Sequence, residues 1–110
     1  MNKPKSDWLV FDVDELRSYV AENEPRFHEF LRVPSMSLAM YRLPAGSKDM
    51  QSPHLEDEVY AVLEGRARLK IDGQVTEITP GKILYVRANT DHSFFDIEED
   101  LVLIAMFGPQ

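Results

Sequence analysis

Apolar residues recur at helical spacing in one segment near the N-terminus. Leu16 and Val20 belong to a stripe that would occupy one face of a helix. Asp12 lies at a capping position and Glu15 follows three residues later, which is the spacing of a capping box. The pattern predicts a helix over about residues 13–23, packed on the outside of the structure that follows.

From Ser35 onward the pattern changes to short apolar runs separated by turn residues. Asp72-Gly73 is a strong hairpin signal, because a type I′ turn needs positive φ at both central residues. Pro80-Gly81 favours a type II turn. These signals divide the segment into about seven predicted strands, with the sequences SMSLAMYRL, EVYAVLEG, RARLKIDG, QVTEI, KILYV, HSFFDI and LVLIAMF.

No helical pattern separates these predicted strands. Short strands without helical crossovers predict an antiparallel sandwich or a small barrel rather than a parallel sheet. We therefore expect an all-β domain over residues 35–110, preceded by an N-terminal segment over residues 1–34 that carries the helix. A chain of 110 residues, 44% of them hydrophobic, is long enough to bury one such core.

The chain is acidic and contains no cysteine. Its 12 Lys and Arg residues against 19 Asp and Glu residues give a net charge of −7. This argues against nucleic acid and anionic membranes as partners, because both are polyanions. Without cysteine, disulfides, thiolate zinc sites and cysteine nucleophiles are excluded. The sequence shows neither a signal-peptide core nor an apolar stretch of transmembrane length, so the cytoplasm is the expected location.

Three residues carry the candidate chemistry: His54, Glu58 and His92. The first two lie at the entry to one predicted strand, and the third opens another. Two imidazoles and one carboxylate are the ligands of the 2-His-1-carboxylate arrangement, which leaves coordination positions free for substrate or oxygen. The alternative is that both histidines are surface loop residues, since 3 histidines in 110 residues is an ordinary number.

Strand alternation extends this site into a pocket, because every second residue of a strand faces the same side. Two such faces carry the candidate residues: one has Glu58, Tyr60 and Val62, and the other has His92, Phe94 and Asp96. If both faces point inward, the metal would lie at the mouth of a pocket lined by Tyr60, Val62 and Phe94.

Two sequence motifs follow one another between residues 46 and 96. The first, GSKDMQSPHLEDEVYAVLEG, follows the pattern G-x5-H-x-H-x3-E-x6-G, except that Ser52 replaces the first histidine. The second, GKILYVRANTDHSFFD, follows the pattern G-x5-P-x-G-x2-H-x3-N and keeps its first glycine and its histidine. Arg87, Asn89 and Asp96 replace the proline, the inner glycine and the asparagine. In order and internal spacing, these motifs resemble those of the small single-domain cupins.

The resemblance implies an antiparallel jelly-roll barrel of the cupin type with a divalent metal bound inside it. The usual ligands of that family are three histidines and one glutamate. Carried over by position, His54, Glu58 and His92 remain, whereas the hydroxyl of Ser52 is a poor ligand for a transition metal. Zinc, iron, manganese, nickel and cobalt all fit the remaining set, because two nitrogens and one oxygen do not select sharply among them.

Two functions are compatible with this site. The first is a metal-dependent enzyme that acts on a small organic molecule, such as a dioxygenase, lyase or isomerase, with Tyr60 or Tyr41 as acid or hydrogen-bond donor. The second is a binding module that holds a small molecule or metal without turnover, as a sensor or partner subunit. A scaffold without any ligand is a third alternative. The resemblance also implies a homodimer, for which the segment RFHEFLRVPS (residues 26–35) is a candidate.

Overall fold

The computed structural model describes residues 7–22, 26–49 and 55–109. These residues form one short helix and six strands, and every strand pair is antiparallel. The predicted all-β fold with an N-terminal helix is confirmed. The elements are α1 (Val13–Ser18), β1 (Phe27–Val33), β2 (Met36–Leu43), β3 (Glu58–Ile71), β4 (Gln74–Ile78), β5 (Ile83–Val86) and β6 (His92–Phe107).

Two long strands organise the sheet, whose order is β1-β2-β6-β3-β4, with β5 paired to β3. β3 has 14 residues and β6 has 16, and they pair with each other from end to end. Glu58 lies opposite Phe107 at one end of this ladder, and Ile71 lies opposite His92 at the other. The remaining strands extend the two halves of this central pair.

The strand breaks predicted at Glu64-Gly65 and at the EED sequence are wrong, because β3 and β6 run through both places. The register between the two strands shifts at three points from Val62 to Arg68, so the ladder bends there without ending. Gly65 has a φ of +99°, and a Cβ on it would lie 2.3 Å from the carbonyl oxygen of Asp100. Glycine therefore marks a bend within a strand at this position, rather than a turn between two strands.

The two predicted turns are confirmed. Asp72 and Gly73 connect β3 to β4 and have φ values of +49° and +82°, as a type I′ turn requires. Gly81 has a φ of +91°, and the N–H of Lys82 donates to the carbonyl of Thr79 at 3.3 Å. This is the geometry of a type II turn with glycine at its third position.

The helix is capped as predicted but is shorter than predicted. The side chain of Asp12 accepts a hydrogen bond from the backbone N–H three residues later, at 3.2 Å. α1 then ends at Ser18, not near residue 23. The buried guanidinium of Arg42 on β2 donates hydrogen bonds to the carbonyls of Val20 and Glu22. These tertiary hydrogen bonds hold the segment after α1 against the sheet, and the last turn of α1 closes with a hydrogen bond from the N–H of Val20 to the carbonyl of Arg17 at 3.1 Å.

Apolar side chains form two clusters on opposite faces of the sheet. The inner cluster fills the barrel and draws on β2, β3, β4, β5 and β6. The outer cluster joins Leu16 and Val20 of the helical segment to Met40 and Val102 of the sheet, so α1 packs outside the barrel. α1, the helix that the described residues form, is too short to span a membrane.

β1 is a strand that the sequence pattern does not predict. It pairs with β2 at one edge of the sheet, with an irregularity between Glu29 and Leu31. It occupies most of residues 26–35, the segment expected to form dimer contacts. The boundary predicted between residues 34 and 35 falls in the turn between β1 and β2.

Candidate metal site in the barrel

Glu58 and His92 meet inside the barrel, although they belong to opposite ends of the β3–β6 ladder. The Nε2 atom of His92 lies 3.2 Å from Oε1 of Glu58, and each side chain is only 1% exposed. A flat ladder of this length would hold the two residues roughly 40 Å apart. The bend around Gly65 and Asp100 folds the central strand pair back on itself and brings its two ends face to face.

The hydroxyl of Tyr60 also belongs to this buried group. It donates a hydrogen bond to Oε2 of Glu58 at 2.6 Å and lies 3.2 Å from Nε2 of His92. The ring packs edge to face against Phe94, with centroids 5.3 Å apart. Tyr60 therefore has an apolar body in the core and a polar tip directed at both candidate ligands.

The loop before β6 fixes the orientation of His92. Its Nδ1 atom lies 2.9 Å from the carbonyl oxygen of Thr90. Because a carbonyl oxygen can only accept, this contact requires a proton on Nδ1. In the neutral imidazole, Nε2 then carries a lone pair directed towards the carboxylate of Glu58. A backbone carbonyl on one imidazole nitrogen is the usual arrangement behind a histidine that binds metal through the other.

Asn89 maintains the shape of this loop in place of the glycine that the motif would have. Its φ is +62°, and the N–H of Thr90 closes the turn on the carbonyl of Arg87 at 3.1 Å. Asparagine adopts left-handed backbone more readily than other residues with a Cβ. The loss of the inner glycine from the second motif therefore leaves the loop geometry intact.

Electrostatics favours a proton between the two candidate ligands in the absence of another cation. The hydrogen bond that Nε2–H of His92 donates to Glu58 raises the pKa of His92 above its ordinary value of 6.5, whereas burial lowers it. The carbonyl of Thr90 and the charges of Glu58 and Asp49 raise the pKa further. In the imidazolium form, Nε2–H donates to Glu58 and Nδ1–H donates to Thr90, so both ring donors have acceptors.

The inward-facing residues of two strands follow the predicted alternation, with one exception. Tyr60, Val62 and Phe94 are all buried in the inner cluster. Asp96 does not share the inward face of His92: it is exposed and has a φ of +48°. Ile97 is the buried residue instead. The positive φ shifts the alternation of β6 by one residue, which strand periodicity alone could not predict.

Of the three predicted ligands, the structure brings two together. His54 lies outside the described residues, as do Ser52 and Gln51. Among residues 7–22, 26–49 and 55–109, no group of three His, Asp or Glu side chains is arranged to hold a metal. Metal binding by His54, Glu58 and His92 thus stays a prediction. Of these three residues, Glu58 and His92 are in contact.

One carboxylate near the site is not predicted by the sequence. Asp49 Oδ2 accepts a hydrogen bond from the backbone N–H of Phe94 at 2.9 Å. Its Oδ1 lies 3.5 Å from the hydroxyl of Tyr41, whose pKa is raised mainly by burial and also by this carboxylate. Asp49 lies at a variable position of the first motif, so spacing gave no signal for it. Tyr41, the second predicted acid, is thereby directed to Asp49.

The third histidine lies away from this group. The ring of His28 stacks on that of Tyr19, with centroids 4.2 Å apart and planes 14° from parallel. This contact joins β1 to the segment that follows α1 on the outside of the barrel. His28 is therefore a matched control for experiments on the other two histidines.

Comparison with family models identifies the family, and a curated relative aligns with nearly the whole chain. Residues 39–107 match the family model described as "Cupin domain". An uncharacterized protein of Streptomyces coelicolor is 40% identical over 100 residues, which cover 91% of this chain and 95% of the relative.

Solved structures show the same fold at low sequence identity. KdgF from a Halomonas species superposes with a TM-score of 0.70 at 20% identity, over 81% of this chain and 84% of that one. A putative mannose-6-phosphate isomerase from Ralstonia eutropha gives a TM-score of 0.68 at 20% identity, over 76% of this chain and 83% of that one. At these identities the likeness extends to the fold alone.

Proposed function

Because this chain belongs to the cupin family, we propose that it binds a divalent transition metal through His54, Glu58 and His92. We further propose that it acts on a small organic molecule, as a lyase, isomerase or dioxygenase. The observation that carries this proposal is the buried contact between Glu58 and His92. Two ionisable side chains have been brought from opposite ends of a bent ladder into the apolar centre of the barrel.

A cation between Glu58 and His92 would stabilise their buried contact. A neutral His92 with its proton on Nδ1 directs a lone pair at the carboxylate of Glu58, which is an unfavourable contact between two acceptors. A proton relieves it at low pH, and a metal ion would relieve it above the pKa of His92. Buried charges in proteins are generally paired or coordinate metals.

The geometry of the two side chains fits adjacent metal ligands. Their N···O distance is 3.2 Å. Ligand bonds of about 2.1 Å separate two adjacent ligand atoms by roughly 3.0 to 3.4 Å in octahedral and tetrahedral sites. The second interaction of His92, with the carbonyl of Thr90, holds the ring in the orientation and tautomer that a metal would require.

A bound metal would act as a Lewis acid that polarises a carbonyl or lowers the pKa of water. The residues of the chain supply the apolar lining of the site and a proton donor. Val62 and Phe94 line an apolar interior that excludes water. Tyr60 holds a proton on its hydroxyl beside both ligands, 2.6 Å from Glu58, where it could donate to a substrate oxygen. A small substrate with a carbonyl, carboxylate or hydroxyl oxygen suits this combination.

Metal content tests the proposal directly. Native protein purified without chelator is expected to contain about one transition-metal ion per chain, whereas His92→Ala and Glu58→Gln should contain little. His28→Ala should retain the native amount, because His28 lies outside the barrel. Native protein without metal, or a loss of metal in His28→Ala equal to that in His92→Ala, would contradict the assignment. Thermal unfolding of each variant shows whether it has folded.

A non-catalytic binding module is the second candidate, and Ser52 favours it. This serine occupies the position of a ligand histidine in the family motif, so the site has one protein ligand fewer. The variant Tyr60→Phe, together with the native chain, distinguishes the enzyme from the binding module. If the protein is an enzyme, Tyr60→Phe should abolish turnover while metal binding persists. In a binding module the native chain should bind small oxygen-containing ligands with measurable heat and convert none of them.

A further inference from the structure

A hollow on the outside of the barrel lies between the helical segment and the edge strand β1. It has a volume of about 370 Å³ and is lined by nine residues, from positions 10–19 and 28–30. Four of the nine carry an aromatic ring, three carry a carboxylate, and none is a lysine or an arginine. The aromatic residues are Phe11, Tyr19, His28 and Phe30, and the acidic residues are Asp12, Glu15 and Glu29.

Two of the rings come from β1 and point away from the barrel interior. His28 and Phe30 are two positions apart, so strand alternation places them on the same face. His28 lies opposite Met40 of the outer cluster, and Phe30 packs against that cluster. Both rings therefore lie on the outer face of the sheet, beside the residues that flank α1.

The other two rings come from either side of α1. Phe11 precedes the helix, and its ring meets that of Phe30 edge to face, with centroids 4.9 Å apart. Tyr19 follows the helix and stacks on His28, with centroids 4.2 Å apart. Even with these contacts, Phe11 and Tyr19 remain 39% and 49% exposed. The two pairs of rings thus support each other and still leave aromatic surface open to a ligand.

Glu15 gives the hollow a negative charge that no cation of the described chain balances. The carboxylate of Glu29 binds Arg32 at 2.7 Å, and that of Asp12 accepts the N–H that caps α1. In the part of the chain that the structure describes, no hydrogen bond or ion pair reaches the carboxylate of Glu15. Glu15 lies four residues before Tyr19, a spacing that places two side chains on the same side of a helical segment.

We propose that this hollow, the aromatic pocket, binds a small organic cation with an alkylated ammonium group, of the kind that choline carries. The face of an aromatic ring attracts a cation that lies within about 6 Å of the ring centroid. Methyl groups on the ammonium nitrogen suit the rings, and the positive charge suits Glu15, whereas an anion would be repelled.

The size of the aromatic pocket selects a small molecule as its occupant. Its volume of about 370 Å³ lies at the lower end of the range for small-molecule sites, roughly 300 to 1,000 Å³. The pocket lies outside the barrel, whereas Glu58 and His92 lie inside it, so the binding of a cation here does not depend on a metal in the barrel.

Titration with choline, followed by calorimetry and by nuclear magnetic resonance of the imidazoles, tests the proposal. The native chain is expected to bind one choline per chain, with a change in the resonances of His28 and none in those of His92. The neutral carbon analogue of choline, in which a tert-butyl group replaces the trimethylammonium group, should bind roughly tenfold more weakly, because it has the shape without the charge. His92→Ala should bind choline as the native chain does, so this proposal and the metal site can fail independently.

Two variants assign the binding to the ring and the charge of the aromatic pocket. Tyr19→Leu and Glu15→Gln should each weaken choline binding by several-fold to tenfold. Tyr85→Leu is the matched control for the ring, because Tyr85 is 62% exposed on β5, away from the pocket. Glu99→Gln is the control for the charge, because Glu99 is exposed on β6. Both controls should keep the native affinity.

Three results would overturn the proposal. The first is a native chain that shows neither heat nor any change at His28 when choline is added. The second is equal affinity for choline and its neutral analogue, which would indicate an apolar hollow without preference for a cation. The third is an equal loss of affinity in Tyr19→Leu and Tyr85→Leu, which would place the binding elsewhere. The far-ultraviolet circular dichroism of each variant shows that it is folded.

Discussion

Gly65 of β3 lies directly against the backbone of Asp100 on β6. The site of its missing Cβ is 2.3 Å from the Asp100 carbonyl oxygen and 2.7 Å from the Cα of Leu101. This close approach occurs where the two long strands bend together. The bend in turn brings Glu58 at one end of the ladder to His92 at the other. A residue without a side chain thus lies at the bend of the ladder whose two ends carry the candidate ligands.

Replacement of Gly65 by alanine should destabilise the fold strongly. Alanine at positive φ costs about 1 kcal/mol, and the overlap with Asp100 adds to this, so a loss of about 3 kcal/mol or more is expected. Gly73→Ala is the matched control, because Gly73 has a similar φ but nothing within 4 Å of the added Cβ. Gly73→Ala should lower the free energy of unfolding by about 1 kcal/mol. Urea unfolding measures both, and equal losses would contradict the role of the close contact.

The buried guanidinium of Arg42 should stabilise the attachment of α1. It donates to the carbonyls of Val20 and Glu22 and lies 3.5 Å from Asp100. We expect Arg42→Met to lower the free energy of unfolding by about 2 to 4 kcal/mol, because these acceptors lose a charged donor. Arg32→Met removes an exposed ion pair with Glu29 and should cost far less stability than Arg42→Met, because solvent screens the exposed pair. Thermal unfolding of the two variants checks this, and comparable losses would contradict it.

The pair of Glu58 and His92 should make the stability of the metal-free protein depend on pH. The pKa of His92 in the folded chain is raised above its ordinary value of 6.5, mainly by Glu58. The protonated form therefore stabilises the fold. This contribution to the free energy of unfolding is fully present below the pKa that His92 has in the unfolded chain. It is lost as the pH rises through the higher pKa of His92 in the folded chain. Urea unfolding in chelator should show this decline, and His92→Gln should reduce it, whereas His28→Gln should not. An unchanged decline in His92→Gln would contradict the prediction.

The conformation of Asn89 should matter for metal affinity. Asn89→Gly keeps the left-handed backbone without strain and should bind metal as the native chain does. Asn89→Ala must adopt a φ of +62° without the polar side chain that lets asparagine tolerate left-handed backbone, at a cost of about 1 kcal/mol. By displacing the carbonyl of Thr90 that orients His92, it should weaken metal binding by roughly tenfold. Calorimetric titration compares the two variants, and equal affinities would show that the loop does not position the histidine.

Strand periodicity, turn residues and motif spacing were sufficient to predict the barrel, its turns and the inward face of Glu58 and Tyr60. These features depend on local chemistry, such as the positive φ of Gly73 and Gly81. Motif spacing also selected His92 as the residue that faces Glu58. The contact between His92 and Glu58 depends on the bend of β3 and β6, which no local sequence pattern predicts.

The failures have a common physical cause in tertiary contacts. The sequence pattern predicts a strand end at Gly65, because the role of this glycine depends on the backbone of Asp100, 35 positions away. α1 ends earlier than predicted, and the carbonyls of Val20 and Glu22 beyond its end accept hydrogen bonds from Arg42. Asp49 was missed because its partner is the N–H of Phe94, on a distant strand. In each case the decisive partner is remote in sequence.

Nuclear magnetic resonance of the three histidines, during a titration with zinc or nickel, tests the proposed metal site most directly. After chelator treatment, the imidazole nitrogens of His54 and His92 should change together and saturate at one ion per chain. The resonances of His28, stacked on Tyr19 outside the barrel, should not change. A response confined to His28, or saturation without any change at His92, would contradict the metal site.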